Sequence, residues 1–376
     1  MNLHPCVKES AGELKRLRQE LHRIPELSYE EFKTSQFIVD TVSALHPDSI
    51  HTLAQTGIKA FFDAGADKTI AIRADIDALP LEEKTGLSFA STHSGCMHAC
   101  GHNGHMAVAL ALAGLVAARR KTLKTNFVFI FQPAEETIGG AKRMIDEGAL
   151  ECPHVDEIYG IHLWPGVSKG KIALKAGPLM ANMCDMNVCI HGKTAHGAAP
   201  QFGRDALLAA AYFVVAAQSI IPRNIDPQEP AVLNIGRIEA GNARNIVCGE
   251  ALIEGTVRSF GDDVADGIKN RIKEIMAGID QMFGTQSEYF ETMGYPALIN
   301  SRELFEEAKQ KFSEHETEPV VPVMMSEDFA YYARATKGLF AFIGTGGQPL
   351  HSNTFDFDEE CLLSALEFYL RICGIE

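Results

Sequence analysis

Hydrophobic positions along the chain change their spacing twice, which divides the sequence into three stretches. In the first stretch, apolar residues recur at helical spacing over residues 9–22 and 28–45, and Pro25 separates the two predicted helices. Short apolar runs then predict a buried helix at 106–118 and strands at 59–62, 69–73, 126–132 and 158–163. The run from Phe127 to Phe131 is apolar throughout, which is typical of a strand covered on both faces. This alternation predicts an α/β domain with a central sheet flanked by helices.

The second stretch, between residues 180 and 293, has a different order of elements. Its pattern predicts helices at 204–221 and 264–283 and strands at 183–191, 231–239, 250–259 and 287–293. The order β-α-β-β-α-β is that of a ferredoxin-like unit. The α/β pattern returns from residue 294, with helices at 301–312 and 358–373 and a strand at 339–343. We therefore predict one discontinuous α/β domain with a mixed sheet, residues 1–179 and 294–376, which carries residues 180–293 as an inserted α+β domain.

Charge and composition restrict the possible partners. The chain has 34 basic and 49 acidic residues and a formal net charge of −15, which repels nucleic acids and anionic membranes. The apolar run at 106–118 is shorter than the roughly 20 residues that span a bilayer. No secretory signal is predicted at the N-terminus, so we expect a cytoplasmic protein. The nine cysteines are an odd number, and we expect free thiols, most of them small core residues.

The segment Met97–His105 has the highest density of possible metal ligands in the chain. It holds the thiol of Cys100 and the imidazoles of His98, His102 and His105. Cys100 and His102 are one residue apart, so both side chains can reach one ion, and thiolate with imidazole suits a borderline-soft divalent metal. Among the nine cysteines, we expect only Cys100 to have neighbours of this kind.

Further possible ligands follow later in the chain. Glu135 and Glu136 come after the predicted strand 126–132, His162 lies at the end of strand 158–163, and His351 is near the C-terminus. Together with Cys100 and His102 they make a site for two metal ions plausible. Each also has another reading, since His162 and His351 can be core histidines and the glutamate pair can open a helix.

The two adjacent glutamates are expected to point in different directions and to serve different roles. One can bind metal, while the other takes a proton from metal-bound water and passes it to a leaving nitrogen. This division of roles is typical of metal-assisted amide hydrolysis. Asp75 and Asp77 follow strand 69–73, so they either orient the ligand histidines or cap the strand end.

One further motif matches a different chemistry. Gly166-Val167-Ser168-Lys169-Gly170 has the G-x-S-x-G pattern of serine hydrolases, but it lies in a predicted turn between strands and not between a strand and a helix. No glycine-rich phosphate-binding motif follows a predicted strand. We therefore expect neither a serine hydrolase nor a nucleotide-binding protein.

As an ordered set, the motifs resemble one family, the dinuclear metallopeptidases of the aminoacylase and carboxypeptidase type. The resemblance covers nearly the whole chain and is greatest to the amidohydrolase branch, which includes aminoacylases, hippurate hydrolases, auxin-conjugate hydrolases and N-acetyldiaminopimelate deacetylases. The matching segments are His22-Arg23-Ile24-Pro25-Glu26-Leu27-Ser28, Arg73-Ala74-Asp75-Ile76-Asp77-Ala78-Leu79-Pro80, His98-Ala99-Cys100-Gly101-His102, Gln132-Pro133-Ala134-Glu135-Glu136, Gly160-Ile161-His162-Leu163-Trp164, Gly192-Lys193-Thr194-Ala195-His196, Met325-Ser326-Glu327-Asp328-Phe329 and Leu350-His351-Ser352.

The resemblance implies a zinc-peptidase-like catalytic domain with two divalent metal ions. It implies that Glu135 is the general base and acid, and that the metal ligands are Cys100, His102, Glu136, His162 and His351. Zn²⁺, Mn²⁺, Co²⁺ and Ni²⁺ all suit these ligands, whereas the thiol argues against a hard ion such as Mg²⁺.

The resemblance also implies that the inserted domain is a lid through which the chain forms a homodimer, with higher oligomers left open. Closure of the lid would bring His196 to the scissile carbonyl as an oxyanion stabiliser, and Asn245 and Arg258 would hold a substrate carboxylate. From the residues alone, His196 is equally a solvated turn residue, and Asn245 and Arg258 can be polar strand ends.

Asn103 departs from the family pattern, which has Asp after Cys-Gly-His. An amide removes one negative charge near the metals and is a weaker acceptor, so metal affinity or substrate preference can differ from that of relatives. We expect Asn103, like Asp75 and Asp77, to lie behind the ligands without binding metal. Cys248 stands where the family has proline, and this change touches no ligand.

The expected function is metal-dependent hydrolysis of the amide bond of an N-acyl amino acid, of the N-acetyl or N-aroyl type, to a carboxylate and a free amino acid. The expected substrate is therefore a small molecule, and neither nucleic acid nor membrane is an expected partner. A dipeptidase of the same family is the main alternative. A deaminase and a non-catalytic metal-binding relative are two others.

Overall fold

The structure of the protein is a computed structural model that describes residues 1–375. It contains two compact units. The first unit comprises Met1–Leu179, Ile299–Val321 and the chain from Asp328 onward, and the inserted unit comprises Met180–Leu298 and Pro322–Glu327. The insertion begins at the predicted residue 180, but it extends to 298 where the sequence pattern suggested 293, and a short later segment joins it.

Helices and strands alternate through most of the chain. The helices are α1 (Pro5–Glu9), α2 (Ala11–His22), α3 (Phe32–Ser43), α4 (His102–Arg119), α5 (Ala141–Asp146), α6 (Ala206–Ala217), α7 (Ile220–Asn224), α8 (Asp262–Phe283), α9 (Arg302–Lys309), α10 (Phe329–Ala335) and α11 (Cys361–Cys373). The strands are β1 (Ser49–Leu53), β2 (Gly57–Phe62), β3 (Thr69–Asp75), β4 (Asn126–Gln132), β5 (Glu157–Trp164), β6 (Ile172–Ala173), β7 (Gly177–Met180), β8 (Met183–His191), β9 (Ala195–His196), β10 (Ala231–Ala240), β11 (Ile246–Val247), β12 (Glu250–Ser259), β13 (Gln286–Phe290), β14 (Gly294–Tyr295), β15 (Leu298–Asn300) and β16 (Lys337–Gly344). No helix within residues 1–375 combines the length and apolarity needed to cross a membrane.

The first unit is built on a mixed sheet with the strand order β1-β2-β4-β3-β5-β16-β6. Strands β4, β3, β5 and β16 run parallel, whereas β1, β2 and β6 join antiparallel at the two edges. Every residue of β3, β4 and β5 is buried, and for β4 this agrees with the prediction from its continuous apolar run. The predicted fold class, an α/β catalytic domain with a mixed central sheet, is confirmed.

The carboxyl ends of the parallel strands lie together at one end of this sheet, and polar residues occur there. Asp75, Gln132 and Trp164 are the last residues of β3, β4 and β5, and Asp75 lies opposite Gln132 in the strand register. The pairing of β3 with β5 ends at Arg73 and Gly160, so these two strands are no longer hydrogen-bonded beyond that point. An opening of this kind at the carboxyl ends of strands is where α/β sheets place their ligand sites.

Helix α4 is held tightly against the end of β5. Its N-terminal neighbour Gly101 has φ +90°, a left-handed conformation that favours glycine. At Gly104 a Cβ atom would lie only 2.5 Å from the side chain of Leu163 and 2.9 Å from that of Phe357. The missing side chain therefore allows the first turn of α4 to approach β5 closely, and both carry predicted ligands.

The inserted unit has an antiparallel sheet with the strand order β10-β12-β8-β13. This is the strand order of a ferredoxin-like unit, in which the first and third strands form the centre. Met186, Val188 and Ile190 point from β8 into the core under helices α6 and α8. Cys189 and His191 alternate with them, so they lie on the opposite face of the sheet.

Candidate metal centre

All five residues predicted to bind metal lie in the first unit, and their donor atoms converge. Cys100 lies just before α4, and its Sγ is 3.4 Å from Nε2 of His162 on β5. Oε1 of Glu136, in the turn after β4, lies 3.3 Å from Nε2 of His351 and 3.9 Å from Nε2 of His102. Cys100 belongs to two groups with mutual distances within 4.8 Å, one with His102 and His162 and one with Glu136 and His351.

The imidazole rings are oriented so that Nε2 faces the cluster. Nδ1 of His102 donates to the backbone carbonyl of Asp77 at 2.9 Å, and Nδ1 of His162 donates to that of Leu163 at 2.8 Å. In its neutral form each ring then carries the lone pair on Nε2, as a metal ligand requires. Nε2 of His102 and Oε1 of Glu136 are buried, and neither has a hydrogen-bond partner within residues 1–375.

The donor set fits a divalent cation. Two ligands of a tetrahedral zinc ion are about 3.4–3.6 Å apart, close to the 3.3 and 3.4 Å separations found here. The chemistry of the side chains points the same way, because they combine one thiol, three imidazoles and a carboxylate. Buried polar atoms without partners are costly, and a bound cation would satisfy both of them.

The ionisation of the cluster also suits a cation. Burial, and then the charge of Glu136, raises the pKa of the Cys100 thiol well above its ordinary value. Burial opposes protonation of His102, but the charges of Asp75 and Asp77 outweigh it and raise the pKa of this ring to about 10. Burial lowers the pKa of His162 well below its ordinary value, so this ring is neutral. The site therefore has an excess of negative charge that a metal ion would balance.

His105, which lies in the ligand-rich segment, is not available as a ligand. Its Nδ1 donates to Oδ1 of Asp75 at 2.6 Å, and its Nε2 accepts from the backbone N–H of Leu163 at 2.9 Å. Both ring nitrogens are therefore occupied. The ring instead fixes the backbone beside His162, a role that its sequence position, one helical turn after His102, could have suggested.

Asp75 is held by a buried network behind the cluster. Arg73 donates to Asp75 and to Asp328, each at 2.8 Å, and to Gln132 at 2.9 Å. Burial opposes the charge of Asp75, but His102, His105 and Arg73 outweigh it and hold the pKa of Asp75 well below its usual range. Arg73 and Asp328 were not predicted as site residues. An arginine inside an otherwise apolar strand was the signal that could have identified the first of them.

Asp77 joins three parts of the site. Its Oδ2 accepts from the Ser28 hydroxyl at 2.8 Å and from the backbone N–H of Glu136 at 2.9 Å. Its Oδ1 lies 3.3 Å from Nδ1 of His102, the ring that also donates to its backbone carbonyl. Asp75 and Asp77 thus both contact histidines at the site. From the sequence, these two residues could either orient the ligand histidines or cap the end of the strand, and the contacts agree with the first alternative.

Glu135 and Glu136 converge, contrary to the expectation that their side chains diverge. One oxygen of each lies within 4.8 Å of a ring nitrogen of His102 and of the other glutamate's oxygen. The cause is the preceding backbone, because Ala134 has φ +59° and the chain turns directly after it. Adjacent residues diverge in a strand or a helix, but not in a turn of this kind.

Glu31 binds the backbone that leads into this turn. Its Oε1 accepts from the backbone N–H of Ala134 at 3.0 Å, and its Oε2 accepts from the hydroxyl of Thr56 at 2.6 Å. Glu31 is completely buried, and burial raises its pKa to about 7. No motif singles out this residue in the sequence, since it is one of several glutamates near the first helices.

Asn103 faces away from the cluster. Its side-chain amide donates to Nδ1 of His22 at 2.9 Å and to the backbone carbonyl of Arg18 at 3.5 Å. Nε2 of His22 in turn lies 3.2 Å from the Glu83 carboxylate. The expectation that Asn103 supports a metal ligand directly is therefore corrected, because its hydrogen bonds within residues 1–375 join α4 to α2.

The three residues predicted to contact substrate lie in the inserted unit. His196 on β9 pairs with Ile246 on β11, which places it beside Asn245, and the Gly197 N–H donates to the Asn245 carbonyl at 2.7 Å. Arg258 lies near the other end of β12, where its Nη1 is 3.4 Å from the Met324 carbonyl and from the Ser326 hydroxyl. The unit therefore brings His196 and Asn245 together, but it does not place Arg258 beside them.

Cysteine burial agrees with the sequence in most positions. All nine cysteines are free thiols, and six besides Cys100 are buried, namely Cys6, Cys96, Cys184, Cys248, Cys361 and Cys373. The expectation of a core position is wrong for Cys152, which is exposed, and for Cys189, which is partly buried. Cys189 also has possible metal ligands as neighbours, so Cys100 is not alone in this respect.

The sequence and the structure of this chain are similar to those of known proteins. Residues 71–374 match the model of Peptidase family M20/M25/M40. An N-acetyldiaminopimelate deacetylase from Streptococcus uberis is 39% identical over 360 residues, which cover 93% of this chain and 95% of that protein. An N-acetyl-L-cysteine deacetylase from Bacillus subtilis is 38% identical over 375 residues, which cover 98% of this chain and 88% of that protein. A solved structure from Bacillus subtilis, a dinuclear metal binding peptidase from the M20 family, matches with a TM-score of 0.85 at 32% identity and 98% coverage of both chains.

Proposed function

Because this chain belongs to Peptidase family M20/M25/M40 and is a metal-dependent amidohydrolase, we propose that it hydrolyses the amide bond of N-acetyl amino acids. The products are acetate and the free amino acid. Both curated relatives are named for removal of an acetyl group from the nitrogen of an amino acid, which supports the acetyl group as the acyl part. Their amino acids differ, so the proposal leaves the amino acid open.

The convergence of Glu135 with the ligand cluster is the observation that carries this proposal. A carboxylate oxygen of Glu135 lies within 4.8 Å of the His102 ring and of Glu136, although five other residues supply the predicted ligands. A carboxylate at the edge of a metal cluster can accept a proton from water and return it elsewhere. An amide needs this exchange, because its nitrogen leaves only after it gains a proton.

Two divalent cations, when bound, polarise the amide carbonyl and make water a stronger nucleophile. Cys100, His102, Glu136, His162 and His351 would hold them. The backbone carbonyls of Asp77 and Leu163 orient the rings of His102 and His162, so Nε2 of each ring faces the cluster before any cation arrives. His102 would lose its Nε2 proton when a cation binds. Glu135 removes one proton from water as oxygen bonds to the acyl carbon, and it delivers that proton to the amide nitrogen as the C–N bond breaks.

The remaining assignments rest on the family resemblance. We propose that His196 stabilises the negative oxygen of the tetrahedral intermediate, and that Asn245 and Arg258 recognise the amino-acid carboxylate. We also propose that the inserted unit is a lid through which two chains form a homodimer. Light scattering measures the mass in solution, and substitution of His196 by alanine tests its role through a loss of kcat.

Release of free amine from a panel of acyl amino acids tests the proposed activity. The protein is stripped with a chelator and reloaded separately with Zn²⁺, Mn²⁺, Co²⁺ and Ni²⁺, and the panel includes N-acetyl, N-benzoyl and longer N-acyl amino acids together with dipeptides. We expect metal-restored turnover that is greatest on N-acetyl amino acids. Preference for dipeptides or for N-benzoyl compounds would replace the acetyl proposal, and ammonia release would indicate a deaminase.

A further inference from the structure

The inserted unit carries a second group of possible metal ligands, which the proposed amide hydrolysis does not use. Cys189 and His191 lie on β8, on the face opposite to helices α6 and α8. They are separated by one residue, the same spacing as Cys100 and His102. In a strand, residues two apart point to the same side, so the extended backbone brings both donors to one face.

The strand register surrounds this pair with carboxylates. His191 lies opposite Glu250 on β12, and Cys189 lies opposite Glu288 on β13. Directly opposed residues of antiparallel strands have Cβ atoms about 4.5–5.5 Å apart on the same face of the sheet. Four possible donors from three neighbouring strands therefore occupy one small area.

Three of these donors are already close enough for one ion. Nδ1 of His191 lies 3.3 Å from Oε2 of Glu250 and 4.0 Å from Sγ of Cys189, and the three atoms are all within 4.8 Å of one another. Ligands of a tetrahedral zinc ion are about 3.4–3.6 Å apart, so the 3.3 Å separation already fits, and the 4.0 Å separation requires the thiol to move closer to His191. A rotation about χ1 of Cys189 provides such a movement.

We propose that Cys189, His191 and Glu250 bind a divalent transition-metal ion of the zinc class in the inserted unit. One thiolate, one imidazole and one carboxylate are the donor types that Zn²⁺ and Co²⁺ accept, and a hard ion such as Mg²⁺ does not favour the sulfur. Three protein donors leave a fourth position for water or for Glu288.

The surroundings admit a cation from solvent. The side chains of His191 and Glu250 are 41% and 70% exposed. The carboxylates of Glu250 and Glu288 lie opposite His191 and Cys189 in the strand register, so negative charge is close to both donors. Cys100 and His102 are buried, whereas the His191 side chain is partly exposed, and we expect weaker binding with rapid exchange in the inserted unit.

Protection of one thiol from alkylation tests the proposal. The holoenzyme is titrated with Zn²⁺ alone, treated briefly with iodoacetamide, and digested, and the labelled fraction of the Cys189 peptide is measured by mass spectrometry. We expect saturable protection of Cys189. Glu250→Gln should raise the Zn²⁺ concentration for half-protection by at least about tenfold, and His191→Ala should abolish protection.

Glu254→Gln is the matched control, since Glu254 lies on the same face of β12 four residues further on and loses the same charge. We expect this variant to protect Cys189 as the wild type does. The buried Cys184 must stay unlabelled in every variant, which verifies that the unit is folded, and Glu250→Gln decides the matter if His191→Ala is unfolded. Equal labelling of Cys189 with and without Zn²⁺, or equal effects of Glu250→Gln and Glu254→Gln, would overturn the proposal.

Discussion

The pairs Cys100/His102 and Cys189/His191 have the same spacing in the sequence but very different surroundings. The first pair lies where a loop enters a helix, and both side chains are buried. The second pair lies on a strand, and the exposed fraction of the His191 side chain is 41%. Spacing therefore predicts which side chains can share an ion, but it does not predict how strongly they hold it.

The groups that orient the two histidines account for the difference in expected metal affinity. His102 is oriented by the backbone and the carboxylate of Asp77, and Asp75 is itself fixed by Arg73. The orientation of His191 depends on the strand register and on one exposed carboxylate, Glu250. A ligand held by buried hydrogen bonds is already oriented before metal binds, whereas an exposed ligand loses rotamer freedom on binding. Four substitutions test this contrast.

The largest expected effect is on catalysis, at Glu135. Glu135→Gln keeps the shape of the side chain but cannot accept a proton, so we expect kcat to fall by roughly 10²–10⁴ with both metals retained. Steady-state kinetics and metal analysis measure this. Glu250→Gln makes the same chemical change at the exposed pair, and its kcat should stay within about twofold of the wild type. Activity of Glu135→Gln within a few-fold of the wild type would contradict the proposed role.

The next effect is on stability, at Arg73. Arg73→Met leaves Asp75 and Asp328 buried without their cationic partner, and we expect a loss of about 3–5 kcal/mol in the free energy of unfolding. Arg237→Met in the inserted unit removes an exposed ion pair with Glu254, which should cost no more than about 1 kcal/mol. Urea unfolding followed by circular dichroism compares the two, and similar losses would contradict the contrast.

A third effect is a pH dependence that comes from Glu31. Its folded-state pKa is about 7 and its ordinary value is 4.5, so between these values the folded state binds more protons than the unfolded state. The free energy of unfolding of the metal-free protein should therefore fall as pH rises from about 4.5 to 7, by roughly 3 kcal/mol in total. Glu31→Gln should remove this part of the slope, whereas Glu250→Gln should not. An unchanged slope in Glu31→Gln would show that another group titrates.

The smallest expected effect is that of Asn103→Asp. An aspartate here would keep its contact with Nδ1 of His22, and within residues 1–375 the Asn103 side chain makes no hydrogen bond to a predicted metal ligand. We therefore expect metal affinity to change by no more than about threefold. Chelator competition measures the affinity. A tenfold change in affinity would show that residue 103 acts on the metals directly.

Regular elements with a continuous pattern were predicted closely. The bounds of β4, β8 and β12 agree with the sequence prediction, because β4 is a continuous apolar run and β8 and β12 are long runs of strand-forming residues. Helix α4 begins at His102 and not at 106, since a first turn of His-Asn-Gly-His has no apolar pattern and is buried by the cluster. The two-residue strands β6, β9, β11 and β14 were missed, because elements so short have no period.

The composition of the site was predictable, but its internal geometry was not. Residue types and order indicated Cys100, His102 and His162 as candidates, although residues 100 and 162 meet only because α4 packs on β5. The sequence did not show that Ala134 would be left-handed, so the convergence of the two glutamates was missed. The direction of the Asn103 side chain was also missed. Consecutive residues of a helix point in different directions, so His102 faces the cluster while Asn103, the next residue, faces α2.

Strands β3 and β5 separate beyond Gly160, and this separation affects the thermodynamics of metal binding. The Leu163 N–H donates to the His105 ring there, so the backbone beside His162 is fixed by the protein alone. Metal binding then requires no folding step, in contrast to zinc fingers, whose chains order only around the ion. Little ordering entropy is lost, and the affinity reports the exchange of hydration water for preorganised donors. The apoprotein should therefore retain its native fold, and reloading should be limited by ion dehydration and entry.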